Sequence, residues 1–260
     1  MRFRSLTLDD LQIEDERSFR HVGLYDDLKQ ALRRDGYRFR VPDRGVASWD
    51  RVVFLNLTYW DLGEQGDVLA SATIPADVVT HVAWHHVAKK ALGAGAQSAE
   101  AMLLGESVAS AFDLYLVGRL LGHAPESQFL DTQVPAMGDV AANAGLDEAR
   151  FEALLEEIAA APERAFEDLR ELLFDAGTAL YGCAGVDEAA AALARFDEHR
   201  FGALLHHYEL SNWVLYARAY APGALGLDPA VRAVDAALRA APVALDWLEE
   251  AWLSPGTPGG

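Results

Sequence analysis

Cysteine is almost absent from this chain. Cys183 is the only one in 260 residues, which excludes an intramolecular disulfide framework and any cysteine-rich metal site. Within Gly182-Cys183-Ala184 the thiol reads as a small buried apolar group. Long uncharged apolar runs are scarce too. Met1-Arg2-Phe3-Arg4, followed by Asp9-Asp10, carries no apolar signal region. No later stretch is expected to supply the roughly 18 uncharged apolar residues of a membrane span, apart from helices interrupted by charge. These absences lead us to expect a soluble, cytoplasmic protein with no membrane partner.

Positive charge is also sparse. The formal net charge is -18, divided as -3 over residues 1–80 and -15 over the remainder. An acidic surface repels phosphate backbones, so nucleic acid is not an expected partner. Arg33, Arg34, Arg38 and Arg40 read as a solvated helix end and strand. The acidic remainder permits a basic protein partner. A small-molecule or peptide ligand is expected, but the sequence does not name it.

Several catalytic signatures are missing. The chain contains neither a G-x-S-x-G elbow nor a G-x-x-x-x-G-K-[ST] phosphate loop. Gly93-Ala94-Gly95-Ala96 follows a helix rather than a strand, so it reads as a connector, not a dinucleotide fingerprint. None of the eight histidines has Glu three residues before it, which sets aside ferritin-like di-iron chemistry.

What is present is a globular composition, 51% apolar and 24% charged. A chain of this length buries one large core or two modest ones. Residues 1–74 read as a small mixed α/β subdomain. Leu24 to Arg34 is a predicted helix, Tyr37 to Val41 a strand, Arg51 to Trp60 a central strand and Val68 to Ile74 another. Residues 75–252 read as a helical domain. Its first helix starts at Pro75 and leaves at Gly93, and a second runs from about Ser98 to Leu121. Further helices are predicted over 147–160, 162–181, 187–220 and 229–252. Leu253 to Gly260, rich in Pro and Gly, reads as a tail. The expected fold class is mainly α (α+β), with the small subdomain packed on the helical lobe.

Chemistry concentrates in two of these helices. His81 and His85 are four apart and stack on one helical face, as two ligands of a divalent metal would. On a wheel of about 100° per residue His86 falls far from them. On the second helix Glu106, Ser110 and Asp113 share a stripe, although that helix is apolar nearly all round. Buried carboxylates in such a setting need a cation, a metal or strong donors, or take up a proton. The same residues also read as a buried hydrogen-bonded network without metal.

His81-x-x-x-His85 with Glu106 downstream resembles the gluzincin metallopeptidases, over roughly residues 50 to 120. The order of elements is similar: strands, the two-histidine helix, the glutamate helix, then a helical lobe. The resemblance implies a zincin-like lobe in which His81, His85 and Glu106 hold zinc. It makes Asp113 an acid that orients a ligand imidazole or moves a proton. It also makes His206 a donor to a substrate oxyanion or to the metal shell. A stripe shared with His199, Leu210, Trp213 and Ala217 places His206 inward. His21 and His123 form no pattern and read as surface residues.

The family's motif is H-E-x-x-H, in which the glutamate activates the metal-bound water. Here Val82 stands in that position. A non-standard metal-dependent hydrolase is therefore the expectation. One alternative is a binding or scaffolding protein that has lost the metal. Another is a non-haem Fe(II) oxygenase built on two histidines and a carboxylate, His81, His86 and Glu106 being one such set.

Overall fold

Apolar residues alternate with arginines at Arg38-Phe39-Arg40-Val41, so one side of this segment buries and the other does not. The computed structural model describes residues 3–42, 66–93, 98–221 and 228–254. Strand β1 (Phe3–Thr7) pairs antiparallel with β3 (Arg38–Pro42), setting Leu6 opposite Phe39. Strand β2 (Gln12–Glu14) pairs parallel with β4 (Thr73–Pro75), with Ile13 beside Ile74. Two short helices, α1 (Glu16–Phe19) and α2 (Tyr25–Arg34), lie between β2 and β3. Of the strand expected over Val68 to Ile74, only the Arg40–Val68 bridge and β4 form. The predicted strand Arg51 to Trp60 lies outside the described residues.

Beyond Pro75 the regular elements among the described residues are all helices, as the patterning predicts. Pro75 caps α3 (Ala76–Leu92) rather than entering its first turn, and Gly93 ends it at φ +56°, a conformation open to glycine without strain. Ser98 then accepts a hydrogen bond from the Ala101 amide at 3.1 Å and starts α4 (Ala99–His123). Four helices follow: α5 (Gln128–Asn143), α6 (Glu148–Ala160), α7 (Pro162–Tyr181) and α8 (Val186–Ala194). The single helix expected over 187–220 is broken. A 3-10 segment, Gly202–Tyr208, and Glu209 at φ +49° precede α9 (Leu210–Tyr220). The helix expected over 229–252 is broken as well, into α10 (Pro229–Ala240), α11 (Ala244–Leu248) and a final π turn, Glu249–Leu253. Leu253, expected to begin the tail, is buried in that turn.

Helix α4 is the axis of the fold. It is apolar on all sides and packs against α3, α6, α7 and α9. By length and composition it is apolar enough to cross a membrane, and it is one of the charge-interrupted helices that the sequence sets apart, carrying Glu106 and Asp113. Yet 89% of its apolar window is buried inside the fold, the setting of a central core helix. Approach to α4 is close at Gly118, where a Cβ would lie 2.6 Å from the Ile158 carbonyl oxygen and 2.9 Å from Pro162. One continuous apolar cluster runs from Leu8 and Phe19 through Trp84 and Phe112 to Leu248 and Leu253. The strands and the helices therefore share a core. An ion pair between the buried Arg170 and the half-buried Asp235, at 2.7 Å, ties α7 to α10.

Candidate metal centre

Helix periodicity places His81 and His85 one turn apart on α3, facing α4, with ring centroids 5.0 Å apart. Between them, Val82, Ala83 and Trp84 are buried in the core. The α3–α4 packing brings the histidines to Glu106. His81, His85 and Glu106 each offer one ligand atom, and these atoms all lie within 4.8 Å of one another. Nε2 of His85 is 3.6 Å from the Glu106 carboxylate. Two turns further along α4, Asp113 Oδ2 accepts a hydrogen bond from His81 Nδ1 at 2.9 Å. That bond leaves His81 Nε2 as the nitrogen able to face a metal.

Electrostatics separate the two imidazoles. Burial alone would lower His81, but the Asp113 carboxylate, its hydrogen bond and the charges of Glu106 and Asp77 outweigh burial and raise it to about 9. Burial, reinforced by the His81 charge, holds His85 well below its ordinary value, so its ring is neutral. Glu106 is only 6% exposed. Burial lifts it to about 7, against the pull of His81 and with the push of Asp113. Among the described residues no lysine or arginine forms an ion pair with Glu106. Two more acids stand near: burial and the Asp113 charge bring Asp77 to about 6, and burial brings Asp67 to about 6 against the Tyr37 hydroxyl 2.7 Å away. Without a metal, a protonated His81 is the charge that pulls on Glu106, Asp77 and Asp67 together.

The group opens onto a cavity of about 700 Å³ walled by facing helix stripes. Helix α4 contributes Glu106, Ser110, Asp113, Leu114 and Val117, α5 contributes Gln133 and Met137, and α3 contributes His81. The far wall is His207 and Tyr208 from the 3-10 segment, then Glu209, Asn212, Trp213 and Tyr216 at the head and along one face of α9. Cavities of this size between helices accept organic ligands.

Not every predicted residue reaches this place. His206, expected to point inward, is exposed and lies beside a second, more apolar cavity with Cys183 and Leu210. Its neighbour His207 lines the cavity that His81 lines. The cause is the break before α9: the wheel assumed one helix, and the 3-10 turn rotates the pair. His86 faces away, with Nε2 2.8 Å from Asp35. His199 accepts from the Phe201 amide at 3.1 Å, and His21 and His123 are exposed. The α9 stripe went unread in the sequence, although the i, i+3, i+4, i+7 spacing of Glu209, Asn212, Trp213 and Tyr216 carries it. Comparison with known protein families, curated proteins and solved structures finds no match to this chain.

Proposed function

We propose that the protein binds one divalent metal through His81, His85 and Glu106 and uses it in a hydrolytic reaction on a ligand held in the adjoining cavity. The observation that carries this reading is the convergence of the three ligand atoms, with His81 and Glu106 also lining that cavity. The donor set fits the group. Two nitrogens and a carboxylate oxygen suit zinc, and three protein ligands leave a coordination position for water or substrate. A buried glutamate without a lysine or arginine partner gains most from a divalent cation. Such a metal would supply Lewis acidity and a water of lowered pKa.

The chain's own residues do the rest. Asp113 holds the His81 ring by its Nδ1 hydrogen bond, and Asp113 and His207 are the cavity groups able to move a proton. The gluzincin resemblance supports the ligand set but not peptidase chemistry, because Val82 is 2% exposed in the core and supplies no base. The test is elemental analysis of protein purified without added metal, beside His85→Ala. About one zinc per chain, lost in the variant, supports this reading. Iron moves it to oxygen chemistry on the same ligands. Absence of metal after reconstitution overturns it and leaves the His81–Asp113 pair as a polar network.

A further inference from the structure

The lining of the cavity has a chemical bias that the metal group does not require. Three carboxylates reach it, Glu106, Asp113 and Glu209, and among the described residues no lysine or arginine lines it. Asp113 Oδ2 is committed to His81, while Oδ1 has no hydrogen-bond partner among the described residues. Across from the two α4 acids stand the aromatic rings of Tyr208, Trp213 and Tyr216, with Glu209 on the same wall as the rings. Trp213 and Tyr216 are one turn apart on α9, and Glu209, at the head of that helix, accepts a hydrogen bond from Asn212 Nδ2 at 2.6 Å and lines the same cavity. Carboxylates and aromatic rings lining one cavity are the two features that recognise an organic cation. Away from the His81 wall, an anionic ligand would meet carboxylates and aromatic rings and, among the described residues, no lysine or arginine.

We propose that this cavity selects an organic cation, a protonated or quaternary amine, seated between the α9 aromatic stripe and the carboxylates of α4. The inference rests on the proposed function only in taking His81 and Glu106 as the metal-bearing wall. Amine recognition at Trp213, Tyr216 and Glu209 stands without the metal. With a metal in place, the ammonium end would lie toward α9 and the opposite end of the ligand toward His81 and Glu106. The substrates implied are esters or amides that carry an amine away from the bond to be cleaved. This cleavage adds water across the acyl bond, releasing the acid and the alcohol or amine.

Calorimetric titration of the full chain with benzyltrimethylammonium, benzyl alcohol and benzenesulfonate tests the selectivity. The quaternary nitrogen has no lone pair, so it cannot bind through a metal. Zinc-loaded and chelator-treated protein are titrated in parallel, with metal content measured on each sample. The expected result is binding of benzyltrimethylammonium about tenfold tighter or more than benzyl alcohol, in both metal states, with benzenesulfonate weakest in the chelator-treated protein. Trp213→Leu and the exposed-site change Glu209→Gln are each expected to weaken the cation about fivefold and leave metal stoichiometry unchanged. Glu209→Gln keeps the test decisive if the tryptophan variant does not fold. A cation bound no tighter than benzyl alcohol overturns the inference, as does cation affinity unchanged in both variants. Loss of the metal reading is seen separately, as protein that binds the cation and never takes up metal.

Discussion

Asp113 Oδ2 lies 2.9 Å from Nδ1 of His81, across the α3–α4 interface. One hydrogen bond therefore sets the ring's orientation, its tautomer when neutral, and its charge when no metal is present. Carboxylate partners of this kind raise ligand basicity and fix the imidazole on its metal. Asp113→Asn is expected to keep metal stoichiometry at saturation but weaken affinity about 10- to 100-fold, whereas His85→Ala removes stoichiometric binding. A competition titration against a chromophoric chelator reads both. Equal affinity in wild type and Asp113→Asn would detach Asp113 from the site.

Metal binding should release protons. With His81 raised to about 9 and Glu106 to about 7, a metal arriving at neutral pH meets protonated ligands and must displace them. Apparent affinity is expected to climb from pH 6 to pH 9, with about one to two protons released per metal at pH 7. Calorimetry in buffers of different ionisation enthalpy counts them. An affinity flat across that interval would contradict the assignment of His81 as ligand.

Without metal, the same shift acts on folding. A histidine raised from 6.5 to about 9 stabilises the fold fully below pH 6.5, and that contribution disappears as pH rises through 9. Chelated protein is therefore expected to lose thermal stability between pH 7 and 10, and His81→Gln to flatten that part of the curve. Melting curves across the interval decide it. A wild-type profile as flat as the variant's would show that the imidazolium contributes nothing.

Restoring the missing motif glutamate should not create a peptidase. Val82 is 2% exposed among core residues, so Val82→Glu places a carboxylate in apolar surroundings at a cost of about 3 kcal/mol or more. Chemical denaturation is expected to show that loss, with no gain of peptide hydrolysis. A stable, proteolytic variant would mean that this position faces the metal.

Gly118 tests the packing independently of the site. A methyl group there would meet the Ile158 carbonyl oxygen at 2.6 Å, and overpacking of this kind costs about 1–3 kcal/mol. Gly118→Ala should lower the denaturation midpoint and leave metal content unchanged. A neutral effect would mean that α6 gives way easily at this crossing.

Much of the helical lobe was legible because 3.6-residue periodicity and caps are local. Predicted bounds of 162–181 and 98–121 compare with Pro162–Tyr181 and Ala99–His123. The convergence of His81, His85 and Glu106 was readable for the same reason, since two polar stripes on adjacent buried helices need one another. What escaped depended on contacts between distant segments or on a local break. Strands β1 and β2 were unread because their pairing partners lie over 30 residues away. Helix α5 was missed where Pro135 interrupts its pattern. The exchange of His206 for His207 followed from the 3-10 segment that carries both and the positive φ of Glu209 that ends it, neither of which has a local sign in the sequence.

The two walls of the cavity differ in what must happen for them to move. Helix α4 is buried over most of its length, so pulling Glu106 or Asp113 away from α3 exposes the common core. The amides of α4 should therefore exchange with deuterium only through global unfolding. The opposite wall is shallow, since α9 exposes Ser211, Asn212, Leu215 and Arg218 and follows a single 3-10 segment. Its amides should exchange through smaller openings. The cavity thus joins a fixed chemical wall to a wall that can be displaced while the rest of the protein stays folded.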